Sequence, residues 1–441
     1  MKKRILSWIF TIVILGMSVT LAAGIAFAGP SQAGANEQLA KAPVFWDENG
    51  LNPDCLADTA AWFADHFYLR QELISVNNAL TARVFGTSGT EDVIQGTDGW
   101  LYYHSTLADF TGSAPLTRAE TAAMASNLAL MEEYLHEQGR RFAFFIAPNK
   151  NSVYPGHMPN FGTQAEQTPG QALLEELKEL GISAVDFFEG LEAVEETLYF
   201  AHDSHWNSRG AALAADAINA RFGRESRYFA ADFSESVPHN GDLYAMMYPA
   251  FTDPERDPVY GGVLDFSYTT NATQPDSIVL ETESGASGSL LAYRDSFGNL
   301  LYPYLADSFG TAKFSRSTTY DLTQPGECVM IELVERNLRN LLRYVPAMPA
   351  PVRELEFDFP EHTGSISVDL KKSNLEGMRL VQGTLPTAGD AGEAVYILAG
   401  GAAYQAFIME DNGFAAHIPQ DAAPEGVAFC QNGELVLLAV Q

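Results

Sequence analysis

The amino-acid sequence predicts an α/β fold with three layers and a mainly parallel sheet, followed by a small all-β domain. Apolar strand-like segments alternate with helical segments from about residue 117 to residue 345, which is the pattern of βαβ units. Beyond about residue 346, short strand-like segments alternate with turns rich in Gly, Pro, Asp and Asn. The 441 residues, 46% of them hydrophobic, are enough for two or three domains with sizeable cores.

The N-terminal segment is typical of an exported protein. Three basic residues, 2–4, precede an apolar run from Ile5 to Ala28. The small-x-small ending predicts cleavage after Ala28, although the run is also long enough to cross a bilayer uncut. Residues 1–28 are therefore a signal peptide or an N-terminal anchor, 29–45 form a linker, and the rest is expected outside the cytoplasm, secreted or anchored at the outer face of the cytoplasmic membrane.

Charge and cysteine content exclude several kinds of ligand. Acidic residues outnumber basic ones 56 to 26, giving a formal charge of −30, which opposes binding to nucleic acid or to an anionic membrane surface. Cys55, Cys328 and Cys430 are far apart, and their spacing is not that of a metal site. We predict no metal, no cofactor, no nucleic-acid partner and no disulfide scaffold.

The region before residue 104 predicts a helix and a hairpin. Apolar residues from Leu56 to Val84 recur at helical spacing, so we expect one helix with a buried face. The segment Val93–Tyr103 follows as two short strands around an Asp98-Gly99 turn.

Helices and buried strands then alternate. A helix is predicted from Thr117, a plausible N-cap with Glu120 three residues on, to Gly139. The near-continuous apolar run 142–147 is typical of a strand in a parallel sheet. The later elements follow the same rules: helices at 171–180, 207–222 and 297–308, and strands at 182–187, 289–293, 311–315 and 328–332.

Two further regions complete the predicted organisation. Residues 224–283 are polar and turn-rich, and we interpret them as an insertion. The main domain is predicted over 46–345. Residues 346–441 form a β-sandwich-like domain, and its aromatic residues are more typical of a core than of a sugar-binding surface. The short strands predicted there are 355–359, 365–370, 378–384, 394–398, 406–409 and 435–440.

Polar residues gather where the predicted strands end, and in open α/β sheets functional side chains lie beyond these carboxyl ends. Ser296 follows the third strand at a turn into a helix. The other polar residues in such positions are Asn149, Lys150, Asp186, Arg316, Glu335 and Arg336.

An Asp-x-His pair precedes the helix 207–222. If residues 199–206 run extended, Asp203 and His205 project to the same side. A histidine base oriented by a carboxylate is what activates a serine, and Ser296 is our candidate nucleophile. The Ser296 N–H, with Gly298 and Asn299, would bind the oxyanion at that helix start.

These patterns also have ordinary structural interpretations. An Asp-x-His or an Asp-Ser often caps a helix. Asn207 is better explained as an N-cap and Trp206 as core or a cleft wall. His202 is a competing base, but it would point away from Asp203.

Asp203-Ser204-His205-Trp206 resembles the Asp-x-His-Trp motif of the SGNH-hydrolase-like polysaccharide O-acetyltransferase family, the AlgJ/AlgX-like and DHHW-type proteins. Further matching segments, in the same order over about residues 56–340, are Gly96–Leu101, Ala147–Lys150 with Tyr154-Pro155, Arg294–Phe297 and Val334–Arg336. In ordinary SGNH hydrolases the serine comes first; here it follows the Asp/His pair, as in the AlgJ/AlgX group.

The resemblance implies an SGNH-like catalytic domain in which Ser296 is the acetyl-accepting nucleophile, His205 the base and Asp203 its partner. It implies O-acetyl transfer to a cell-surface or exported polysaccharide, with a membrane-bound O-acyltransferase as acetyl supplier. It also makes the domain 346–441 a candidate for carbohydrate binding, although the sequence there shows no motif for it. A carbohydrate acetylesterase using the same triad and a non-catalytic glycan-binding scaffold remain alternatives. Arg294, Arg316 and Lys150 would lie near the cleft, where they bind an anionic sugar or, as we favour, pair with carboxylates.

Overall fold

The computed structural model describes residues 2–34, 37–48, 50–161, 164–354 and 363–441. The strand predicted at 355–359 lies outside these ranges.

The α-helices, with short 3₁₀ turns between some of them, are numbered in chain order. They are α1 (Lys2–Ala28), α2 (Cys55–His66), α3 (Arg70–Phe85), α4 (Leu107–Thr111), α5 (Arg118–Glu137), α6 (Lys150–Val153), α7 (Pro169–Glu179), α8 (Phe187–Glu192), α9 (Ser208–Arg221), α10 (Asp242–Met247), α11 (Gly298–Ser308) and α12 (Asn340–Arg343).

The strands of the region before residue 346 are numbered in the same way. They are β1 (Trp46–Asp47), β2 (Gly50–Leu51), β3 (Val93–Gln95), β4 (Leu101–Tyr103), β5 (Arg141–Ala147), β6 (Ala184–Val185), β7 (Phe233–His239), β8 (Glu255–Tyr260), β9 (Phe266–Tyr268), β10 (Val279–Ser284), β11 (Ser289–Tyr293), β12 (Thr311–Ser315) and β13 (Cys328–Val334).

A seven-stranded sheet in the order β6-β5-β13-β11-β12-β10-β9 forms the centre of the molecule. The first five strands in that order are parallel, and β10 and β9 join antiparallel at one edge. Alternate residues of β5 face opposite layers: Phe145 packs in one core with α9 and α11, and Phe144 in another with α5 and α7. The predicted three-layer fold with a mainly parallel sheet is confirmed.

The expected insertion at 224–283 is more regular than predicted. It contains α10 and the strands β7 to β10, and β10 is part of the central sheet. The sequence signal was weak because β10 alternates buried Leu280 and Thr282 with polar, partly exposed neighbours. A short half-polar strand of this kind, second from the edge of the sheet, resembles a loop in composition.

The predicted helix over 56–84 is wrong in two respects. It is two helices, α2 and α3, separated by a break in which Leu69 adopts a φ of 63°. Its apolar face is also not buried, since α2 has no buried residue and those of α3 are Ser75 and Asn78. Polar contacts decide this orientation: Asn78 Nδ2 donates to Met247 O (2.8 Å), and Ser75 Oγ accepts from Ala250 N (2.9 Å).

The C-terminal region is all-β, as predicted. Its strands are β14 (Val352–Arg353), β15 (Gly364–Ile366), β16 (Val368–Lys372), β17 (Met378–Thr384), β18 (Val395–Ala399), β19 (Ala402–Met409), β20 (Gly413–Pro419), β21 (Pro424–Gln431) and β22 (Glu434–Val440). Their sheet runs β15-β22-β21-β18-β19-β20-β17-β16, with β14 paired to β19. Phe414 lies in its core, whereas Phe407 packs into the core beneath α5.

Helix α1 is exposed along most of its length. Its segment Ser7–Ala28 is long and apolar enough, by length and composition, to cross a membrane. In the described part of the chain it is the single helix that meets these criteria. A signal sequence meets them equally well.

Candidate active site

The loop that carries Asp203 is not extended, contrary to the expectation for residues 199–206. An isolated bridge pairs Tyr199 with Trp206, and Phe200 N donates to His205 O (3.3 Å), so the chain turns back on itself between them. Asp203 and His205 nevertheless meet. Asp203 Oδ1 accepts from the backbone N of His205 (2.9 Å) and pairs with its ring Nδ1 (2.7 Å).

Ser296 lies at the other side of the same imidazole. Its Oγ is 2.8 Å from His205 Nε2, although the two residues are far apart in the chain. The parallel strand β11 ends at Tyr293, and its carboxyl end brings the serine to the edge of the sheet where the Asp203 loop lies. The ring of Phe297 packs against the imidazole of His205, with the ring centroids 4.7 Å apart, and limits the movement of the imidazole.

The sequence pattern therefore predicted three residues that the fold brings together. With Asp203 on Nδ1, the tautomer that carries its proton there leaves Nε2 free to accept the serine proton. The distances match those of an activated serine.

The second oxygen of Asp203 has its own partners. Oδ2 pairs with His239 Nε2 (2.8 Å) and accepts from Asp242 N (3.0 Å). Burial alone would raise the pKa of Asp203, but hydrogen bonds from His205 and His239 hold it well below its usual value. The carboxylate therefore stays ionised between two imidazoles.

Asp242 is a second acid beside His205. Its Oδ2 accepts from Ser204 Oγ (2.6 Å) and lies 3.6 Å from His205 Nδ1. Burial, and then the charge of Asp203, raise the pKa of Asp242. Asp242 thus fixes Ser204, while Asp203 holds the imidazole.

These side chains also have the composition of a metal site. Potential ligand atoms of Asp203, His205 and Asp242 lie within 4.8 Å of one another. A metal on Nδ1 would displace the proton given to Asp203 and leave Nε2 protonated, so that it could not accept from Ser296. The arrangement fits proton transfer better than metal binding.

A buried network supports the turn that carries Ser296. Asp295 Oδ1 accepts from Phe297 N (3.0 Å), and its Oδ2 accepts from Val334 N (2.8 Å) and Asn337 Nδ2 (3.0 Å). Glu332 is fully buried and accepts from Asp295 N (3.0 Å). Burial, and then the charge of Asp295, raise the pKa of Glu332 well above its usual value.

The three predicted oxyanion donors differ in their availability. Asn299 is engaged elsewhere, since its Oδ1 accepts from Arg294 Nη1 (2.6 Å) and its Nδ2 donates to Asp276 Oδ1 (2.9 Å). The backbone amides of Ser296 and Gly298 have no hydrogen-bond acceptor among the described residues. These two amides are the better candidates.

The three basic candidates have structural partners. Lys150 is buried, and its Nζ donates to the carbonyl oxygens of Phe200 (3.0 Å), Ala201 (2.9 Å) and Asp203 (2.7 Å). The expectation that Lys150 binds substrate or pairs with a carboxylate is wrong, because its Nζ donates its hydrogen bonds to these loop carbonyls. Burial lowers its pKa to about 7.

Arg294 and Arg316 are also bound to other parts of the protein. Arg294 is buried and donates to Pro275 O (2.6 Å) as well as to Asn299, and burial lowers its pKa to about 10. Arg316 makes the expected ion pair, 3.1 Å from Asp276 Oδ1. Both hold the surroundings of the turn rather than the cleft.

Other predicted positions have the ordinary roles expected of them. Asn207 caps α9 by accepting from Arg209 N and Gly210 N, and Trp206 is fully buried. Asp186 caps α8. His202 points to Asp253 O (3.2 Å), away from the pair.

Sequence reasoning missed His239 and Asp242. They lie in and just after β7, within the region interpreted as an insertion, and their spacing relative to Asp203 carries no signal. Glu335, noted as a strand-end residue, is instead structural: its carboxylate accepts from Asn149 N (2.9 Å), Gly170 N (2.9 Å) and Ser152 Oγ (2.6 Å).

Residues 93–274 match the family model described as "SGNH hydrolase-like domain, acetyltransferase AlgX". The resemblance inferred from the sequence is thereby confirmed. The matched segment contains Asp203 and His205 and ends before Ser296. No curated protein matches this chain.

Among solved structures, PatB1 of Bacillus cereus with a sulfonyl adduct is 15% identical, with a TM-score of 0.43 over 56% of this chain and 95% of that one. A DHHW family protein of Eubacterium siraeum is 17% identical, with a TM-score of 0.41 over 58% and 99%. AlgX of Pseudomonas aeruginosa is 13% identical, with a TM-score of 0.37 over 80% and 90%.

Proposed function

We propose that this chain is an extracytoplasmic O-acetyltransferase that moves an acetyl group onto hydroxyls of a cell-surface or exported polysaccharide through an acetyl-Ser296 intermediate. The observation that carries the proposal is the 2.8 Å contact between Ser296 Oγ and His205 Nε2. The family match to an acetyltransferase-type SGNH domain supports the choice of acyl group.

In the first half-reaction, His205 Nε2 takes the proton of Ser296 as Oγ attacks the acetyl carbonyl carbon of an ester or thioester donor. The backbone amides of Ser296 and Gly298 stabilise the oxyanion. The tetrahedral intermediate breaks its bond to the leaving group, which takes the proton from the imidazolium. Acetyl-Ser296 remains, and His205 is neutral again.

In the second half-reaction, a sugar hydroxyl gives its proton to His205 and attacks the same carbonyl carbon. The bond to Ser296 breaks, and Oγ regains the proton. Water in place of the sugar makes the chain an acetylesterase, so exclusion of water from the acceptor cleft separates the two activities.

Asp203 serves both half-reactions from its fixed position. It is 2.7 Å from His205 Nδ1 and stabilises the positive ring that forms each time Nε2 accepts a proton. Because His239 also pairs with Asp203, we propose that His239 is a positioning residue.

We propose that the acceptor is a polysaccharide and that a membrane-bound O-acyltransferase supplies acetyl groups. Export of residues beyond α1 would place the site on the same side as such a polymer. The apolar Ser7–Ala28 segment supports export, as a signal sequence or as an anchor.

The first test is hydrolysis of a chromogenic acetyl ester. We expect Ser296→Ala and His205→Ala each to lower the rate by about 10³-fold or more, because members of a triad act as a unit. Ser317→Ala, a serine in an exposed loop after β12, is the matched control and should keep the full rate. Equal rates for all four proteins would exclude the triad and favour a non-catalytic scaffold.

Transfer is tested separately with an acetyl donor and candidate oligosaccharides. The transferase is supported by acetylated sugar, detected by mass, that disappears with Ser296→Ala. Loss of donor ester without acetylation of any acceptor would favour the esterase.

A further inference from the structure

Helix α3 carries an apolar stripe on its outer face. Its residues recur at helical spacing and become more exposed toward the C-terminal end of the helix. They are Leu69, in the break just before the helix, and Leu73, Val76, Leu80 and Val84, with exposed fractions of 36%, 39%, 46%, 59% and 66%. A helix on a surface that meets only water would instead turn its apolar face toward the core and its polar face toward the solvent.

The orientation of α3 is fixed by the polar contacts of its inner face. Ser75 and Asn78 are buried and hydrogen-bond the chain at Ala250 and Met247. Turning the apolar stripe inward would break both bonds. A contiguous exposed apolar surface of this kind marks a site of interaction.

The apolar segment that is able to cross a membrane adjoins this helix pair. Tyr68, in the break between α2 and α3, donates its backbone N–H to Leu21 O of α1 (3.3 Å), and Ser31 N donates to His66 O (3.1 Å). The packing is close, since a side chain at Gly24 would overlap Tyr68. These contacts place the start of α3 beside the C-terminal part of the apolar segment, at Leu21 and Gly24.

The charge of the helix pair suits a neutral surface. Cys55–Phe85 contain three acids, Asp58, Asp65 and Glu72, and two arginines, Arg70 and Arg83, whereas the whole chain has a formal charge of −30. The contact therefore depends on apolar burial rather than on attraction to anionic lipid.

We propose that α2 and α3 lie on the outer surface of the bilayer that α1 enters, with the apolar stripe of α3 at the boundary of the acyl chains. The occupant of the stripe is thus lipid. This proposal rests on export of the chain with α1 retained as an anchor, and it is independent of catalysis by Ser296.

Helix α10 connects this surface to the site. Its last residue, Met247, accepts from Asn78 of α3, and its first residue, Asp242, donates its N–H to Asp203. Six residues of helix span about 9 Å. The triad would therefore lie close above the bilayer, where an acetyl group delivered through the membrane would emerge.

The experiment measures lipid contact in the full chain. Cys55→Ser and Cys430→Ser remove the two accessible thiols, and Cys328 is fully buried. An environment-sensitive fluorophore is then attached at Leu80→Cys or at Leu370→Cys, a matched leucine of β16 that is 53% exposed. Each protein is reconstituted in zwitterionic phosphatidylcholine vesicles with and without a doxyl-labelled lipid.

We expect the doxyl lipid to quench the label at position 80 and not at position 370, and high salt to leave the quenching unchanged. Preparations are accepted when a label at Val13→Cys in α1 is quenched, and circular dichroism reports the folded state. Equal quenching at 80 and 370 in such vesicles would overturn the proposal. The proposal would also be overturned if neither the doxyl lipid nor a water-soluble quencher quenches the label at position 80, because a second copy or another protein would then cover the stripe.

Discussion

At the scale of single residues, the unusual feature is that Asp203 is shared by two imidazoles. Oδ1 faces His205 and Oδ2 faces His239, whose ring also stacks on Phe200 with centroids 4.0 Å apart. The carboxylate is therefore held from both sides and cannot rotate away when His205 gains a proton. Such preorganisation is what a short-lived imidazolium requires.

We expect His239→Gln to make stability less dependent on pH. Burial alone would lower the pKa of His239, but its hydrogen bond to Asp203, with the charges of Asp203, Asp257 and Glu255, raises it. The folded state thus binds more protons, so the stabilisation is complete below the unfolded pKa of about 6.5 and is lost as pH rises through the folded value.

The measurement is urea unfolding of both proteins from pH 5 to pH 9. The difference in free energy of unfolding should be largest at the acid end and shrink with rising pH. A difference that is constant across this range would show that His239 does not titrate against Asp203.

Lys150 tests how the Asp203 loop is held. Lys150→Met removes the donor to three loop carbonyls and should cost about 1–3 kcal/mol of stability. It should also lower ester hydrolysis, because the loop carries the base. Lys178→Met, an exposed lysine of α7, is the control, and equal thermal midpoints and rates for the two variants would contradict this role.

At the scale of elements, the turn from β11 into α11 is built for one serine position. Within the turn, Asp295 Oδ1 accepts a hydrogen bond from Phe297 N, and Arg294 donates Nη1 to Asn299 Oδ1. Gly298 leaves room for this arginine, since a Cβ there would lie 2.5 Å from Arg294 Cδ and 2.8 Å from its Cβ.

Gly298→Ala should therefore disturb the turn. We expect a loss of about 1–3 kcal/mol in unfolding free energy from the forced displacement of Arg294, together with slower ester hydrolysis. Gly190→Ala in α8 is the control, because its Cβ would only touch Phe187 at 3.7 Å. Similar unfolding curves and rates for the two variants would argue against a packed turn.

The elements also show what the sequence can predict. The five parallel strands and the strand-end position of Ser296 follow from local apolar runs and from the chain order of βαβ units. His239, Asp242 and β10 could not be predicted, because their places depend on contacts made across the fold. The sequence predicted the wrong face of α3 to be buried, because the hydrogen bonds of Ser75 and Asn78 outweigh the helical spacing of its apolar residues.

At the scale of the whole molecule, the central sheet and the C-terminal sheet share a buried joint. Asn127 of α5 donates Nδ2 to Leu341 O (3.0 Å) and Ile408 O (2.8 Å), and its Oδ1 accepts from Ile408 N (2.9 Å). Phe407 enters the core beneath α5 beside this amide. The boundary near residue 346 remains a prediction, although the contacts across it are extensive.

Asn127→Ala should weaken this joint by about 1–3 kcal/mol, because it leaves the backbone groups of Ile408 without partners. Calorimetry is expected to show a lower thermal midpoint than in Gln138→Ala, a change at the exposed end of the same helix. An unchanged midpoint for Asn127→Ala would mean that the two sheets do not depend on this amide.

The central claim, that Ser296 carries the acetyl group, is tested most directly by peptide mass mapping after brief incubation with an acetyl ester and acid quench. We predict one added acetyl group on the peptide that contains Ser296, and none in Ser296→Ala or His205→Ala. The account would be contradicted if the ester is consumed but the Ser296 peptide carries no acetyl group. Acetylation of another residue that persists in Ser296→Ala would contradict it as well.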